Sequence, residues 1–426
     1  MLNRRTFLGT VGAGFAASQL VANTLYAKEA DGERKRLAVI TNEWRFKSHA
    51  WHMAERFLAG YPKNGAWHHP PFDVVAAYVD QFPENDLSRK RSEEYGFPIY
   101  AGIAETLRCG GDKLAVDAVL IISEHGTYPK NEYQQTQYPR YEYFKQVTDI
   151  FREEGRVLPI FNDKHLSWKW EWAKEMVDIS RELDFGFAAG SSLPVTWRMP
   201  SIDLPYGAPV EEMLSVAIGG LDSYDFHALE VIQCMAERRH GGETGVVAIQ
   251  GLKGDAIWQA MEAGNWNDGG WDPRLFEACL SRSQTLTQPE TYNHRYPTVA
   301  QIREWTRDPI AYRIEYADGV KATMLLMNGL VDDFTFAARI KGEKNPVSTL
   351  FYLPPMPNVE YSAELMSKAE ETFLTGKAPC PIERTLLTTG LVEAGCRSIG
   401  TGQKRIETPH LNIRYQAPKK STFAQS

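Results

Sequence analysis

The side chains able to move protons or hold a cation fall at a few places in the chain. Glu124–His125, Asp163–Lys164–His165 and Asp225–His227 each put acids, imidazoles or an ammonium within three residues of one another. An imidazole titrates near neutrality and serves as acid or base, and a desolvated lysine can have its pKa lowered toward that range. The same set suits a transition metal. Three of Glu124, His125, Asp163, His165, Asp225 and His227 could converge on an ion and leave a position open. Such a site would draw first on Glu124, His125, His165 and His227, with His49 and His52, at i and i+3, joining from a helix. None of these residues forms a compact metal motif such as H-E-x-x-H.

The elements that must position these groups read as alternating strands and helices. Arg36 to Thr41 is a short apolar run that reads as a buried parallel strand, and Ser48 to Gly60 has helical spacing. Strands are predicted at Phe72 to Asp80, Ala115 to Ser123, Val157 to Phe161 and Phe185 to Gly190. Helices are predicted at Leu87 to Tyr95, Ile103 to Leu107, Tyr141 to Glu154 and Trp168 to Leu183. This alternation predicts a parallel sheet of β-α-β units, whose ligands bind at the carboxyl ends of the strands. The functional residues are then expected at Asn42 to Ser48, Asp80, Ser123 to His125 and Asn162 to His165.

From Ser191 the texture changes. Two period-2 runs, Ala311 to Tyr316 and Val320 to Met327, flank Asp318–Gly319, a hairpin signal. Asp333 to Lys341 is a further strand, and Arg384 to Ser398 a closing amphipathic helix. The predicted fold is α/β: a Rossmann-type parallel-sheet domain at 36–190, then an α+β domain with a largely antiparallel sheet at 191–426, closing on the helix 384–398.

Length and composition agree with two soluble domains. The chain has 426 residues, is 43% hydrophobic and 24% charged, and carries a formal net charge of −7, so it lacks the clustered basic surface that nucleic-acid binding needs. Aromatic residues make up 12%, including 11 Trp, material for sugar-stacking faces or for core and interface area. Trp168, Trp170 and Trp172 alternate and cannot share one helix face, which leaves some exposed or at a homo-oligomer contact. The five cysteines are scattered and form no disulfide framework.

Arg4–Arg5 followed by Phe7–Leu8 and a Gly/Ala-rich apolar run predicts a twin-arginine secretion signal over residues 1–27, with a linker at 28–35. The expected partner is the twin-arginine translocase and the expected location periplasmic. Ser18, Gln19 and Asn23 interrupt the run, so the mature protein is not expected to be membrane-embedded.

Four stretches resemble the glucose-fructose oxidoreductase/inositol dehydrogenase (Gfo/Idh/MocA) family. They are VVAAYVDQFPENDLSRKRSEEYGFPIYAGIAETL from Val74, VDAVLIISEHGTYP from Val116, VLPIFNDKHLSWKWEWAKEMVDISRELDFGFAAG from Val157 and GGLDSYDFHALEVIQCM from Gly219. In the third, Asp163–Lys164–His165 stands where the family has Glu-Lys-Pro. The resemblance implies that Lys164 polarises a reacting carbonyl or hydroxyl. It implies that His227 is the general acid/base, oriented by Asp225 or Asp222. Lys164 as an ion-paired lysine, and His227 as a helix-start histidine satisfied by Asp222, are the alternatives. The resemblance also implies NAD(P), with Asn42, Arg45, Ser48, Asp80, Ser123, Glu124 and His125 lining its groove and Asp80 on a ribose hydroxyl.

The chain departs from the family after the first strand. The loop TNEWRFKSHAWH (Thr41 to His52) has no glycine where the family has G-x-G-x-x-G. Glu43 and Trp44 would crowd and repel a pyrophosphate, and Arg45 and Lys47 would contact it directly. The function implied is an exported oxidoreductase acting on a sugar or cyclitol with NAD(P). A non-redox or metal-assisted lyase or glycoside-cleaving enzyme, and a non-catalytic carbohydrate-binding protein, are the alternatives.

Overall fold

The computed structural model describes residues 33–291, 293–356 and 359–425. The predicted signal segment 1–27 lies outside them, as does most of the linker 28–35.

The first half builds β1 (Lys35–Thr41), α1 (His49–Ala59), a small hairpin β2 (Tyr61–Lys63) and β3 (Ala66–His68), β4 (Phe72–Val79), α2 (Ser88–Tyr95), β5 (Ile99–Tyr100) and α3 (Ile103–Arg108). It continues through β6 (Ala118–Ile122), α4 (Arg140–Glu154), β7 (Ile160–Asp163), α5 (Trp170–Glu182) and β8 (Phe187–Gly190). Six strands pair in parallel in the order β5-β4-β1-β6-β7-β8. The sheet therefore switches direction between β1 and β6, where α/β folds open a crevice at the strand carboxyl ends. Buried runs explain the strands: every residue of β6 and of Leu37–Thr41 is buried. In α1, Ala50, Met53, Ala54 and Phe57 form the inward stripe, and Ser48 caps the helix by accepting from Trp51 N–H at 3.4 Å.

Of the predicted strands, β6 starts at Ala118 instead of Ala115, β8 at Phe187 instead of Phe185, and β7 is displaced at both ends. Pairing of β7 starts at Ile160 instead of Val157, because Pro159 offers only its carbonyl, bonded by Val119 N–H at 3.1 Å. The shift carries the strand on to Asp163 and sets Lys164 immediately past its end.

The second half builds β9 (Trp197–Met199), β10 (Val210–Ala217), α6 (Tyr224–Ala236), β11 (Val246–Lys253), α7 (Asp255–Ala263), α8 (Pro273–Arg282) and α9 (Val299–Trp305). It ends with β12 (Arg307–Tyr316), β13 (Lys321–Asn328), β14 (Phe334–Ile340), β15 (Val347–Tyr352), α10 (Glu360–Thr375), α11 (Glu383–Gly400) and β16 (Ile406–Glu407). Eight strands lie in the order β16-β11-β12-β13-β10-β14-β15-β9, antiparallel except for β10 beside β13. The β12–β13 hairpin turns at Asp318–Gly319 as predicted, with Gly319 at φ 90°. One face of this sheet packs on α6 and α11, and the other is covered by α7 and α8. At Gly395 of α11 the Tyr312 ring approaches so closely that a Cβ would lie 2.3 Å from it.

Helix α10 leaves the second sheet and packs on α1 and the β2–β3 hairpin, burying Leu365, Met366, Ala369 and Phe373 in the core of the first sheet. Trp170 is buried, while Trp168 and Trp172 are half-buried, Trp172 stacked on Tyr141 at 4.8 Å and meeting Trp168 edge-on. The five cysteines are free. No helix among the described residues is long and apolar enough to cross a membrane.

Candidate active site

At the carboxyl ends of β6, β7 and β8 a cavity of about 210 Å³ opens between the two sheets. Its walls include Glu124 and His125 after β6, Asp163 and Lys164 at the end of β7, Ser191 after β8, and His227 on α6. His49 and His52 enter from α1, and Tyr361 and Ser362 from α10. The strand-end residues, His227 and the first-helix histidines thus share one space.

Four residues at this crevice hold left-handed backbone although none is glycine: Lys47 (φ 66°), His125 (φ 68°), Lys164 (φ 63°) and Asp222 (φ 56°). Each costs on the order of 1 kcal/mol or more and persists only where the surroundings fix it. At Lys164 the fixing contact is its own N–H, which donates to Gly190 O at 3.2 Å.

Lys164 Nζ lies 3.3 Å from Glu124 Oε1 and donates to Ser223 O at 3.4 Å. An ammonium has three donors, so one is left for a ligand. Glu124 also pairs with buried Arg140, so one carboxylate sits between two cations. Burial alone would raise the Glu124 carboxyl, but Lys164 and Arg140 hold it well below the usual carboxylate range.

His165 is turned away from this space. Arg140 Nη1 donates to its Nε2 at 3.2 Å, and its Nδ1–H donates to Ser167 O at 3.1 Å, which uses both ring nitrogens. Burial, with Arg140 adding to it, keeps the ring neutral, well below its ordinary value. It is a structural residue, not a ligand.

His49 makes a pair that sequence reasoning did not assign. A carboxylate only accepts, so the 2.6 Å contact is His49 Nδ1–H donating to Asp163 Oδ2. That leaves Nε2 as the ring nitrogen available to a ligand. Asp163 is 1% exposed and its Oδ1 has no partner among the described residues. A carboxylate-oriented imidazole is the arrangement of a general base. The signal was present in the sequence only as separate pieces, 114 positions apart.

His227 Nδ1 meets Ser191 Oγ at 2.6 Å, and that hydroxyl accepts from Leu193 N–H at 3.1 Å. Burial first, then the charge of Lys164, holds His227 well below its ordinary value, so it is neutral. Asp222 and Asp225 do not contact it. Asp225 accepts from the N–H groups of Asp222, Ser223 and Phe226 and from Tyr312 Oη, which fixes the turn into α6. Asp222 accepts from Thr136 N–H at 2.6 Å, and burial, with Asp225 beside it, pushes it up to about 7. The two acids fix the chain behind the cavity wall, and Ser191 orients the imidazole. His52 and His125 are brought down by burial to about 3 and about 4, and His125 Nε2 is buried without a partner.

The proposed metal ligands do not converge: among the described residues no three His, Cys, Asp or Glu side chains are placed to hold an ion. Glu124 is consumed by Lys164 and Arg140, and His165 by Arg140 and Ser167.

The residues implied for NAD(P) are differently employed. Asn42 and Ser123 are fully buried and bonded to each other at 3.0 Å, and Asn42 also donates to His125 O at 3.1 Å. Ser48 accepts from Arg45 N–H as well as capping α1. Arg45 pairs with Glu43 at 2.5 Å. Trp44, 0% exposed, stands in the loop where the family has glycine and packs into the core, stacked on Phe97 with its indole N–H on Glu55 at 3.1 Å. Asp80 is exposed, but Tyr78 and Tyr128 donate hydroxyls to its two oxygens at 2.8 and 2.6 Å. Gln81 takes Thr127 O and N–H at 3.1 and 2.9 Å, which ties the loop after β6 across the end of β4. A dinucleotide in this fold runs over these strand ends, its pyrophosphate against glycine backbone and a helix N-terminus. The residues present do not fit it: the helix end is capped by its own serine, a buried indole replaces glycine, and the chain's own loop is tied over the groove.

Comparison with known proteins supports the architecture. The chain is similar to GenD2 from gentamicin A biosynthesis, solved in complex with NAD, at 12% identity over 89% of this chain and 97% of that one, with a TM-score of 0.54. It is similar to a probable dehydrogenase from Thermotoga maritima at 11% identity over 88% and 99%, TM-score 0.51. A UDP-N-acetylglucosamine 3-dehydrogenase from Acidithiobacillus ferrooxidans matches at 9% identity over 87% and 99%, TM-score 0.50. No protein-family model matches the chain, and no curated protein matches it by sequence. The two-domain fold of these dehydrogenases is therefore the fold of this chain.

Proposed function

We propose that the chain is an enzyme that moves protons on a small polyhydroxylated substrate, a sugar or cyclitol, held in the cavity between its two sheets. The observation that carries this is the His49–Asp163 pair, 2.6 Å apart, in the same cavity as the Lys164 ammonium. His49 takes a proton through Nε2, with Asp163 stabilising the imidazolium that forms. Lys164 meets the negative charge that develops on the substrate oxygen. His227, held by Ser191, is the second proton carrier. Ser192, Ser223, Tyr224, Tyr361 and Ser362 bring hydroxyls and backbone groups around a substrate rich in hydroxyls. At about 210 Å³ the cavity falls below the ~300–1,000 Å³ of sites for drug-sized ligands, which suits one monosaccharide ring.

Incubation of the protein with sugars and cyclitols in D₂O tests this. Solvent deuterium is expected to enter the substrate, with the rate lost in His49→Gln. Unchanged exchange in that variant would remove the base from the account. Export by the twin-arginine route belongs to the same proposal, and retention of an Arg4→Lys, Arg5→Lys chain in the cytoplasm is its expected outcome.

The second reading is hydride transfer to NAD(P) by a sugar or cyclitol oxidoreductase. It is favoured by the meeting of Lys164 and His227 in one crevice, as the resemblance implies, and it requires the Thr127 loop to lift from Gln81. Nucleotide released on denaturing protein purified from the cytoplasm would support it.

A further inference from the structure

We propose that the substrate arrives already oxidised, as a sugar or cyclitol with a ketone or carboxyl group beside the carbon that gives up its proton. A dehydrogenation must then come before this enzyme in the reaction sequence. The inference rests on the proton-transfer reading and adds the substrate class to it.

The chemistry of the cavity leads there. The groove that would seat a hydride acceptor has Trp44, buried in the core, in its first loop where the family has glycine, and it is crossed by the loop clamped through Gln81 and Thr127. Within the cavity stand a base, His49 oriented by Asp163, and an ammonium with an unused donor, Lys164. An imidazole cannot take hydrogen from an ordinary carbinol carbon, because the electron pair left behind has nowhere to go. Beside a carbonyl the pair delocalises onto oxygen, and a fixed cation there lowers the barrier. The base and the cation are the two parts that a carbon acid needs.

The step balances without an oxidant. His49 Nε2 takes the proton, the C–H pair becomes a carbon–carbon double bond, and the carbonyl pair moves to the oxygen facing Lys164. The enolate then has two ways forward. A proton returns to carbon from the other side, inverting the centre. Alternatively the carbonyl re-forms, the double bond shifts outward, and the C–O bond at the next carbon breaks. In that case the departing oxygen carries away the bonding pair and takes a proton from His227, and the imidazolate left there recovers a proton from the His49 imidazolium, which restores both rings. With Ser191 as donor to Nδ1, the neutral His227 ring has its hydrogen on Nε2 to give.

The test pairs each oxidised compound with its parent: inosose, the monoketone of inositol, against inositol, and methyl glucuronoside against methyl glucoside. Each is incubated in D₂O with the purified full chain and no added nucleotide, and followed by proton NMR. Exchange or elimination is expected at the carbon beside the carbonyl of at least one oxidised compound, and none in the parents. The rate should fall about 10²–10⁴-fold in His49→Gln, with Asp163→Asn as the second variant and thermal midpoints checking that both fold. Turnover of a parent compound without nucleotide would overturn the substrate class while leaving the acid–base reading. No exchange in any compound, or formation of reduced nicotinamide, would overturn both.

Discussion

The two ends of the first sheet's crevice share one architecture and treat their polar atoms in opposite ways. At the β1–β4 end the groups are spent on the chain itself: Asp80 on two tyrosines, Gln81 on Thr127, Ser48 on its helix, Arg45 on Glu43. At the β6–β8 end, Asp163 Oδ1 and His125 Nε2 are buried without partners, and Lys164 keeps a donor free. An unpaired buried polar atom costs about 1–3 kcal/mol, and at these two a ligand in the cavity would offset that cost. The contrast teaches that a Rossmann-type sheet can lose its nucleotide end and keep the chemistry at the other.

That contrast is sharpened most by changes at the open end. Lys164→Met should lower turnover about 10²–10³-fold, since it removes charge stabilisation of the developing oxyanion, and should also lower the thermal midpoint, since buried Glu124 loses one of its two cationic partners; steady-state kinetics beside calorimetry checks both. Glu230 comes next. It is fully enclosed behind Ser191 and pushed up to about 7 by burial, against the opposing pull of Arg384 and Thr388. A raised carboxyl favours the folded state fully below its unfolded value and loses that contribution as pH rises through about 7. Glu230→Gln should therefore gain on the wild type by ~3 kcal/mol between pH 4.5 and pH 8, read from denaturant midpoints across pH. A constant difference would place no titrating proton there. The smallest effect belongs to the filled end. Tyr128→Phe removes one hydroxyl from Asp80 and should cost ~1 kcal/mol of stability with turnover unchanged. Calorimetric titration of that variant with NAD⁺ should show no binding; micromolar binding would break the comparison, because a single hydroxyl would then have been the barrier.

Much of this was legible before any coordinates. The period of apolar residues located β1, α1, β4 and β6 within a few residues, since each buries a face the sequence displays. The strand-end rule gathered Glu124, His125, Asp163 and Lys164, because a parallel sheet leaves only its carboxyl edge free. What stayed hidden were pairings across distance. His49 and Asp163 are joined by the fold alone, and nothing local in Asp225 reveals that three N–H groups and Tyr312 would claim it. The β7 shift was readable in principle from Pro159. The passage of α10 back onto the first domain was not, because its partners, α1 and the β2–β3 hairpin, are distant in the chain.

Helix α10 has a consequence for recognition. Tyr361, Ser362 and Leu365 on it face the cavity, while Glu370 further along receives Tyr61 Oη at 2.5 Å and His68 Nε2 at 2.8 Å from the opposite half. Helix α10 thus ties the two halves of the molecule together beside the cavity. Selectivity in such a vessel comes from a mould that exists before the guest arrives, and guests too large for it are refused at the door instead of being accommodated by a closing hinge.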